Sequence, residues 1–186
     1  MPFGASESAA VRRVLIEARP GAGKTTALRR AAELLRAHEV RIAGFLTEEL
    51  RAGRRRVGFS VAALATGERG TLAHVGISSS TRVGRYGVDL QEFVRIALPE
   101  LEMEADVMLL DELGKMELAS SAFRAAVQVL FDGQTPVVAT VHTFRNPFTD
   151  RLKSRRDVEL VRLTHENRDR LPERIVERLL ASGAGD

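Results

Sequence analysis

The sequence predicts an α/β fold: a mostly parallel sheet flanked by helices, with one antiparallel hairpin inserted. Three observations predict it. Strand-like runs at 11–17, 106–110, 136–141 and 158–163 alternate with stretches of helical periodicity, and that alternation calls for a parallel sheet covered on both faces. Two of the runs, DVMLL and PVVATV, are continuously apolar, as strands buried on both faces are. Two further strand-like stretches, 41–50 and 55–64, are separated by RAGR with Gly53 in the turn, which is a hairpin signal.

Composition excludes several classes before any motif is read. The chain has 186 residues, 44% hydrophobic and 28% charged, the size and balance of one globular domain. It has no cysteine, so disulfide scaffolds, thiolate zinc sites and cysteine nucleophiles are excluded; this fits a reducing cytoplasm. No apolar run approaches the ~18 residues of a membrane helix. The opening MPFGASESAAV has no basic region followed by an apolar stretch, so no signal peptide is expected. Of the 28 basic residues, three are lysine (Lys24, Lys115, Lys153) and the other 25 are arginine. The net charge of +3 is modest for a nucleic-acid binder.

Taken in order, residues 1–10 are small and polar and are expected to be a frayed terminus, leaving a domain over 11–181. VRRVLIE (11–17) reads as a strand, ARPGAGK as a turn, and Leu28, Ala31, Ala32 and Leu35 as the inner face of a helix over 24–37. The hairpin follows. Residues 71–88, with glycines and a run of serines, read as a loop or short strands. Asp89 caps a helix carrying Leu90, Phe93, Val94 and Ala97 that ends near Pro99. After the strand at 106–110, Ser120 or Ser121 caps a helix with Phe123, Val127, Leu130 and Phe131 inward. The strand at 136–141, a short helix near 149–154, the strand at 158–163 and a helix from Pro172 with Ile175, Val176, Leu179 and Leu180 inward complete the chain.

The strand-to-helix turn carries the first functional signal. Ala18-Arg19-Pro20-Gly21-Ala22-Gly23-Lys24-Thr25, followed by Thr26, fits the phosphate-binding loop G-x-x-x-x-G-K-[ST] with alanine at its first glycine. Glycines let successive N–H groups point at an anion, and the helix N-terminus adds its dipole. Lys24 supplies a mobile cation to the β- and γ-phosphates, and Thr25 can ligate Mg²⁺. Ala18 is compatible with the loop where its φ is negative.

The second signal is the acid pair Asp111-Glu112 at the end of the 106–110 strand. Asp111 suits the Mg²⁺ shell of a phosphate-loop enzyme. Glu112, one residue on, points elsewhere and can take a proton from an attacking water. Gly114 allows a tight turn beside the nucleotide, and Lys115 falls beside the acids. Thr140 ends its strand as either a γ-phosphate contact or a buried hydroxyl bonded to backbone. Arg82, Arg145, Arg155 and Arg168 are the candidates for a transition-state guanidinium. His38, His74, His142 and His165 show no metal-ligand spacing.

Four blocks carry a resemblance: GFLTEELRAGRRRVGF (44–59), RVGRYGVDLQEF (82–93), LLDELGKMELASSAF (109–123) and RRDVELVRLTHENRDRLPERIV (155–176). Together with the phosphate loop they resemble the small nucleoside-triphosphatases known from thermophiles and, in animals, as cancer-related nucleoside-triphosphatase. The resemblance implies a RecA-like core and Mg²⁺-dependent hydrolysis of ATP, GTP and other nucleoside triphosphates to diphosphate and phosphate. It implies nucleotide contact from residues 18–25 and 111–114, with Glu112 as base and Lys24 beside the reacting phosphate. Ala18 departs from the family pattern.

Two other functions share these motifs. A nucleoside or nucleotide kinase would need an acceptor pocket built by the 41–64 hairpin and the 78–88 loop. A nucleotide-dependent module acting on RNA, DNA or protein would turn over slowly; the modest charge disfavours nucleic acid. Neither a membrane partner nor a particular oligomeric state has a signature in the sequence.

Overall fold

The computed structural model describes residues 13–183. The expected frayed terminus at 1–10, and the first two residues of the expected 11–17 strand, lie outside them. Among the described residues, nine strands form one sheet in the order β5-β6-β4-β3-β2-β7-β8-β1-β9. These are β1 (Arg13–Ala18), β2 (Ile42–Ala52), β3 (Arg55–Ala63), β4 (Arg69–His74), β5 (Arg82–Val83), β6 (Tyr86–Val88), β7 (Val107–Leu113), β8 (Val137–His142) and β9 (Val158–Arg162). The helices are α1 (Lys24–Ala37), α2 (Leu90–Glu102), α3 (Ser121–Asp132), α4 (Pro147–Lys153) and α5 (Leu171–Gly183). The expected parallel core runs β2-β7-β8-β1-β9. The β2–β3 hairpin joins it and continues antiparallel through β4, β6 and β5. Of the two expectations for 71–88, short strands is the one found, and they extend the sheet.

Alternation along the central strands builds two cores. On one face, Val14 and Ile16 of β1 and Val107 and Leu109 of β7 pack with Leu28, Leu35, Ile175 and Leu179 of α1 and α5. On the other, Leu15, Met108 and Leu110 pack with α2 and α3. There Phe45, Phe93 and Phe123 meet edge-to-face, with centroids 4.9 to 5.7 Å apart. Truncating one such buried ring costs about 3–5 kcal/mol.

Local signals set most helix starts. The Asp89 side chain accepts from the Glu92 N–H and Ser120 from the Phe123 N–H, each closing one open donor of a helix N-terminus. Asn146 caps α4, which begins at Pro147 rather than at 149. The expected end of α2 near Pro99 is a correction: the helix runs through Pro99 to Glu102. Tertiary contacts outweigh the lost backbone bond. Glu100 is fully buried, and its carboxylate accepts from the N–H groups of Gly44, Ala65 and Thr66 and from the Thr66 hydroxyl at 2.9–3.0 Å. Leu101 is buried beside it.

This arrangement prepares a site. α1 leaves β1 onto one face of the sheet and α3 follows β7 onto the other, with β8 between. A crevice opens where neighbouring strands send their connections to opposite faces, outside the strands' carboxyl ends.

Candidate active site

The turn from β1 to α1 is shaped by two glycines with positive φ, 77° at Gly21 and 98° at Gly23. A side chain at either would meet no atom within 4 Å, so the backbone conformation, not space, selects glycine. Ala18 closes β1 as an ordinary strand residue. Among the described residues only Glu39 has positive φ without being glycine, so the first position of this loop tolerates alanine. No side chain caps α1 and no acid lies in its first turn. Its N–H groups are open to an anion.

A cavity of about 810 Å³ opens at this edge, from Pro20 and Gly21 at one end to Phe59, Leu72 and Val83 at the other. Gly23, Lys24, Thr25, Thr26 and Glu112 line it. Ala18, Arg19, Ala22, Asp111 and Gly114 do not. The carbonyls of Ala18 and Arg19 accept from Lys24 Nζ at 3.1 and 3.4 Å, and Ala22 packs partly buried against the core.

Lys24 and Thr25 meet the acid pair. Lys24 Nζ lies 3.2 Å from Glu112 Oε2, and the Thr25 hydroxyl donates to Asp111 Oδ2 at 2.6 Å. Asp111 is fully buried. Its Oδ2 also accepts from the Thr47 hydroxyl at 3.0 Å, and its Oδ1 from the Thr140 hydroxyl at 2.7 Å. Of the two expectations for Thr140, a bond to a carboxylate replaces the bond to backbone. Burial pushes the Asp111 carboxyl above the usual range against the pull of Thr25 and Thr140, and the nearby Glu112 adds to the rise. For Glu112, burial also raises the carboxyl, but the hydrogen bond from His142 and the Lys24 ammonium outweigh it and hold the group below its ordinary value.

Thr25 and Asp111 present hard oxygen donors. Among the described residues, no group of three or more His, Cys, Asp or Glu is gathered to hold a metal ion. The hard oxygens of Thr25 and Asp111 suit a hard divalent cation such as Mg²⁺, which is held through one or two protein oxygens plus substrate phosphates. Because the Thr25 hydroxyl donates its hydrogen bond to Asp111, the threonine's lone pairs are left for a cation on the cavity side.

Several neighbours gave no local sequence signal. Thr47 reaches Asp111 only because β2 lies next to β7. His142, at the end of β8, hydrogen-bonds through Nε2 to Glu112 Oε1 and stacks on Phe144, with centroids 4.3 Å apart. Glu117 is buried against the cavity wall. Lys115 lines the cavity with its Nζ 4.9 Å from the centre of the Phe144 ring. Lys153 donates to Glu17 Oε1 and to the His142 carbonyl, each at 2.7 Å. Among the arginines, Arg29 and Arg56 line the cavity, paired with Glu48 and Glu49. Arg155 binds Asp132, Asp157 and the Phe131 carbonyl, near the amino end of β9. Arg82 donates to the Arg85 carbonyl and Arg168 pairs with Asp169; none of these three lines the cavity.

A glycine-rich turn at the head of an uncapped helix, with an acid pair two strands away on a parallel sheet, defines a phosphate-loop α/β protein in the RecA-like strand arrangement. Residues 13–176 match the family model described as NTPase, and the chain belongs to that family. It is 40% identical over 162 residues to the nucleoside-triphosphatase THEP1 of Thermotoga maritima, covering 86% of this chain and 90% of the relative. It is 40% identical over 176 residues to THEP1 of Thermofilum pendens, covering 91% and 96%. Among solved structures it is similar to a human cancer-related nucleoside triphosphatase, at TM-score 0.80 and 37% identity over 92% of this chain and 98% of that one. The THEP1 crystal structure from the hyperthermophile Aquifex aeolicus gives TM-score 0.80 and 34% identity, over 90% and 98%.

Proposed function

We infer that this protein is a nucleoside-triphosphatase, hydrolysing nucleoside 5'-triphosphates to diphosphate and phosphate. The observation that carries the reading is the meeting of Lys24, Thr25, Asp111 and Glu112 at the open end of α1. Family membership and the THEP1 relatives point the same way.

In this reading the N–H groups of residues 21–26 hold the phosphates. Lys24 leaves the Ala18 and Arg19 carbonyls and takes the β- and γ-phosphate oxygens, where it offsets charge that builds in the transition state. Mg²⁺ would supply positive charge to offset that of the phosphates. Thr25 would hold it directly, and Asp111 behind Thr25 would fix the hydroxyl and the surrounding waters. Glu112 enters as a carboxylate, since its neighbours keep it ionised. It orients a water in line with the γ-phosphorus and accepts its proton. The lack of cysteine fits a cytoplasmic setting, and no helix among the described residues is long and apolar enough to cross a membrane.

Phosphate release from ATP, GTP, CTP and UTP, with and without Mg²⁺ and with no acceptor, tests the reading. Release from several nucleotides that depends on Mg²⁺ is expected, because the loop grips the phosphates that all four share. Lys24→Ala should lose most of the activity.

Phosphotransfer is a second reading, favoured by one observation. The cavity continues past Glu112 onto Glu48, Glu49, Arg56 and Phe59 of the hairpin and Val83 of β5, the segments from which an acceptor pocket was expected. A phosphorylated nucleoside in place of free phosphate would support it.

A further inference from the structure

Glu112 is held at both carboxylate oxygens, by two different groups. Lys24 Nζ sits on Oε2 at 3.2 Å, and His142 Nε2 hydrogen-bonds to Oε1. These partners differ in what a substrate does to them. The Lys24 ammonium is otherwise bonded, among the described residues, to two loop carbonyls, and a triphosphate competes for it directly. His142 belongs to the end of a central strand. Its ring lies against Phe144 at an interplanar angle of 23°. Its carbonyl accepts from Lys153, whose ammonium also grips Glu17 on the neighbouring strand β1. Both of those side chains are nearly buried. Among the described residues, the His142 Nδ1 is buried without a hydrogen-bond partner. Nε2 faces a carboxylate oxygen, which accepts, so Nε2 is the ring nitrogen that donates to Glu112.

We propose that His142 is a positioning residue for hydrolysis: it holds Oε1 of Glu112 so that, once a triphosphate draws Lys24 away, Oε2 alone is presented to the attacking water. The ring needs no movement and exchanges no proton with substrate. Lys153, the lysine for which the sequence offered no role, anchors the strand end that carries it. The proposal rests on the reading of Glu112 as proton acceptor.

Steady-state hydrolysis of ATP with Mg²⁺ tests it in a double-mutant cycle with Glu112. His142→Ala is expected to lower kcat about tenfold or more while KM, and the Kd of a fluorescent non-hydrolysable ATP analogue, change less than about twofold, because the lost contact acts on the reaction and not on nucleotide binding. His142→Gln, which keeps an N–H for Oε1, should recover much of the loss. His142→Leu, which keeps bulk without the donor, should match His142→Ala; thermal melts identify any variant that fails to fold. In a Glu112→Gln background, adding His142→Ala should cost almost nothing further, since both substitutions remove the same oriented carboxylate. An unchanged kcat in both His142→Ala and His142→Leu would overturn the proposal, as would losses that simply multiply with that of Glu112→Gln. If Glu112→Gln itself hydrolyses ATP at the wild-type rate, the failure lies instead in the assignment of Glu112.

Discussion

At the scale of single residues, the site depends on carboxylates held in unlike states. Glu117 is buried beside Glu112 and Asp111, and burial first, then the charge of Glu112, pushes its carboxyl up to about 8. In the unfolded chain the same group ionises at an ordinary carboxylate value of about 4.3. Between these values the folded protein holds a proton that the unfolded chain has released, so the stability this group contributes is full below the lower value and declines as pH rises through the window. The slope is about 1.4 kcal/mol per pH unit for one proton. Glu117→Gln is expected to flatten the pH dependence of stability between pH 5 and 8, with its largest gain over wild type near pH 8 in urea unfolding. Gly114 sits against the same carboxyls: a methyl group there would fall 2.8 Å from Glu117 Oε2 and 2.9 Å from Glu112 Oε1. Gly114→Ala must therefore displace Glu112 or Glu117. Its expected signature is reduced kcat with near-normal nucleotide affinity, read from the same kinetics and binding measurements.

At the scale of elements, what could be read locally was separated from what needed a partner. The α1 helix is legible at both ends because Gly23, the apolar spacing of Leu28, Ala31 and Leu35, and the turn after Ala37 are contained in one stretch of chain. β4, β5 and β6 could be read only as a loop or short strands, because RGTLAH, RV and YGV are too short to show alternation. They exist through cross-strand pairing, such as Ala73 opposite Val88 and Val83 opposite Tyr86. Pro99 misled for a related reason: the bonds that hold the last turn of α2 come from Gly44, Ala65 and Thr66, distant in sequence. Glu100→Ala would leave three N–H groups without their acceptor. Each orphaned group costs about 1–3 kcal/mol, so a loss of several kcal/mol in urea unfolding is expected, with the nucleotide end of the molecule less affected.

At the scale of the whole molecule, part of the arginine excess is taken up in local pairs. Arg29, Arg41, Arg56, Arg95 and Arg155 each lie within 3 Å of a carboxylate. The three lysines have particular places: on the loop carbonyls and Glu112, over Phe144, and between Glu17 and His142. The phosphate loop and the acid pair were legible because each is a short motif at the end of its own strand. Their contact was not, since it requires β8 to stand between β1 and β7. Thr47, Thr140 and His142 complete the cluster through that strand order, and no local spacing in the sequence encodes it. The central claim is that this cluster transfers the γ-phosphoryl group to water with Glu112 as proton acceptor. Acceptor-free phosphate release from ATP and Mg²⁺ by wild type and Glu112→Gln tests it most directly. Steady turnover by wild type and a fall of about 100-fold or more in the variant are predicted, the scale of losing a positioned general base. Equal rates in the two proteins would contradict it.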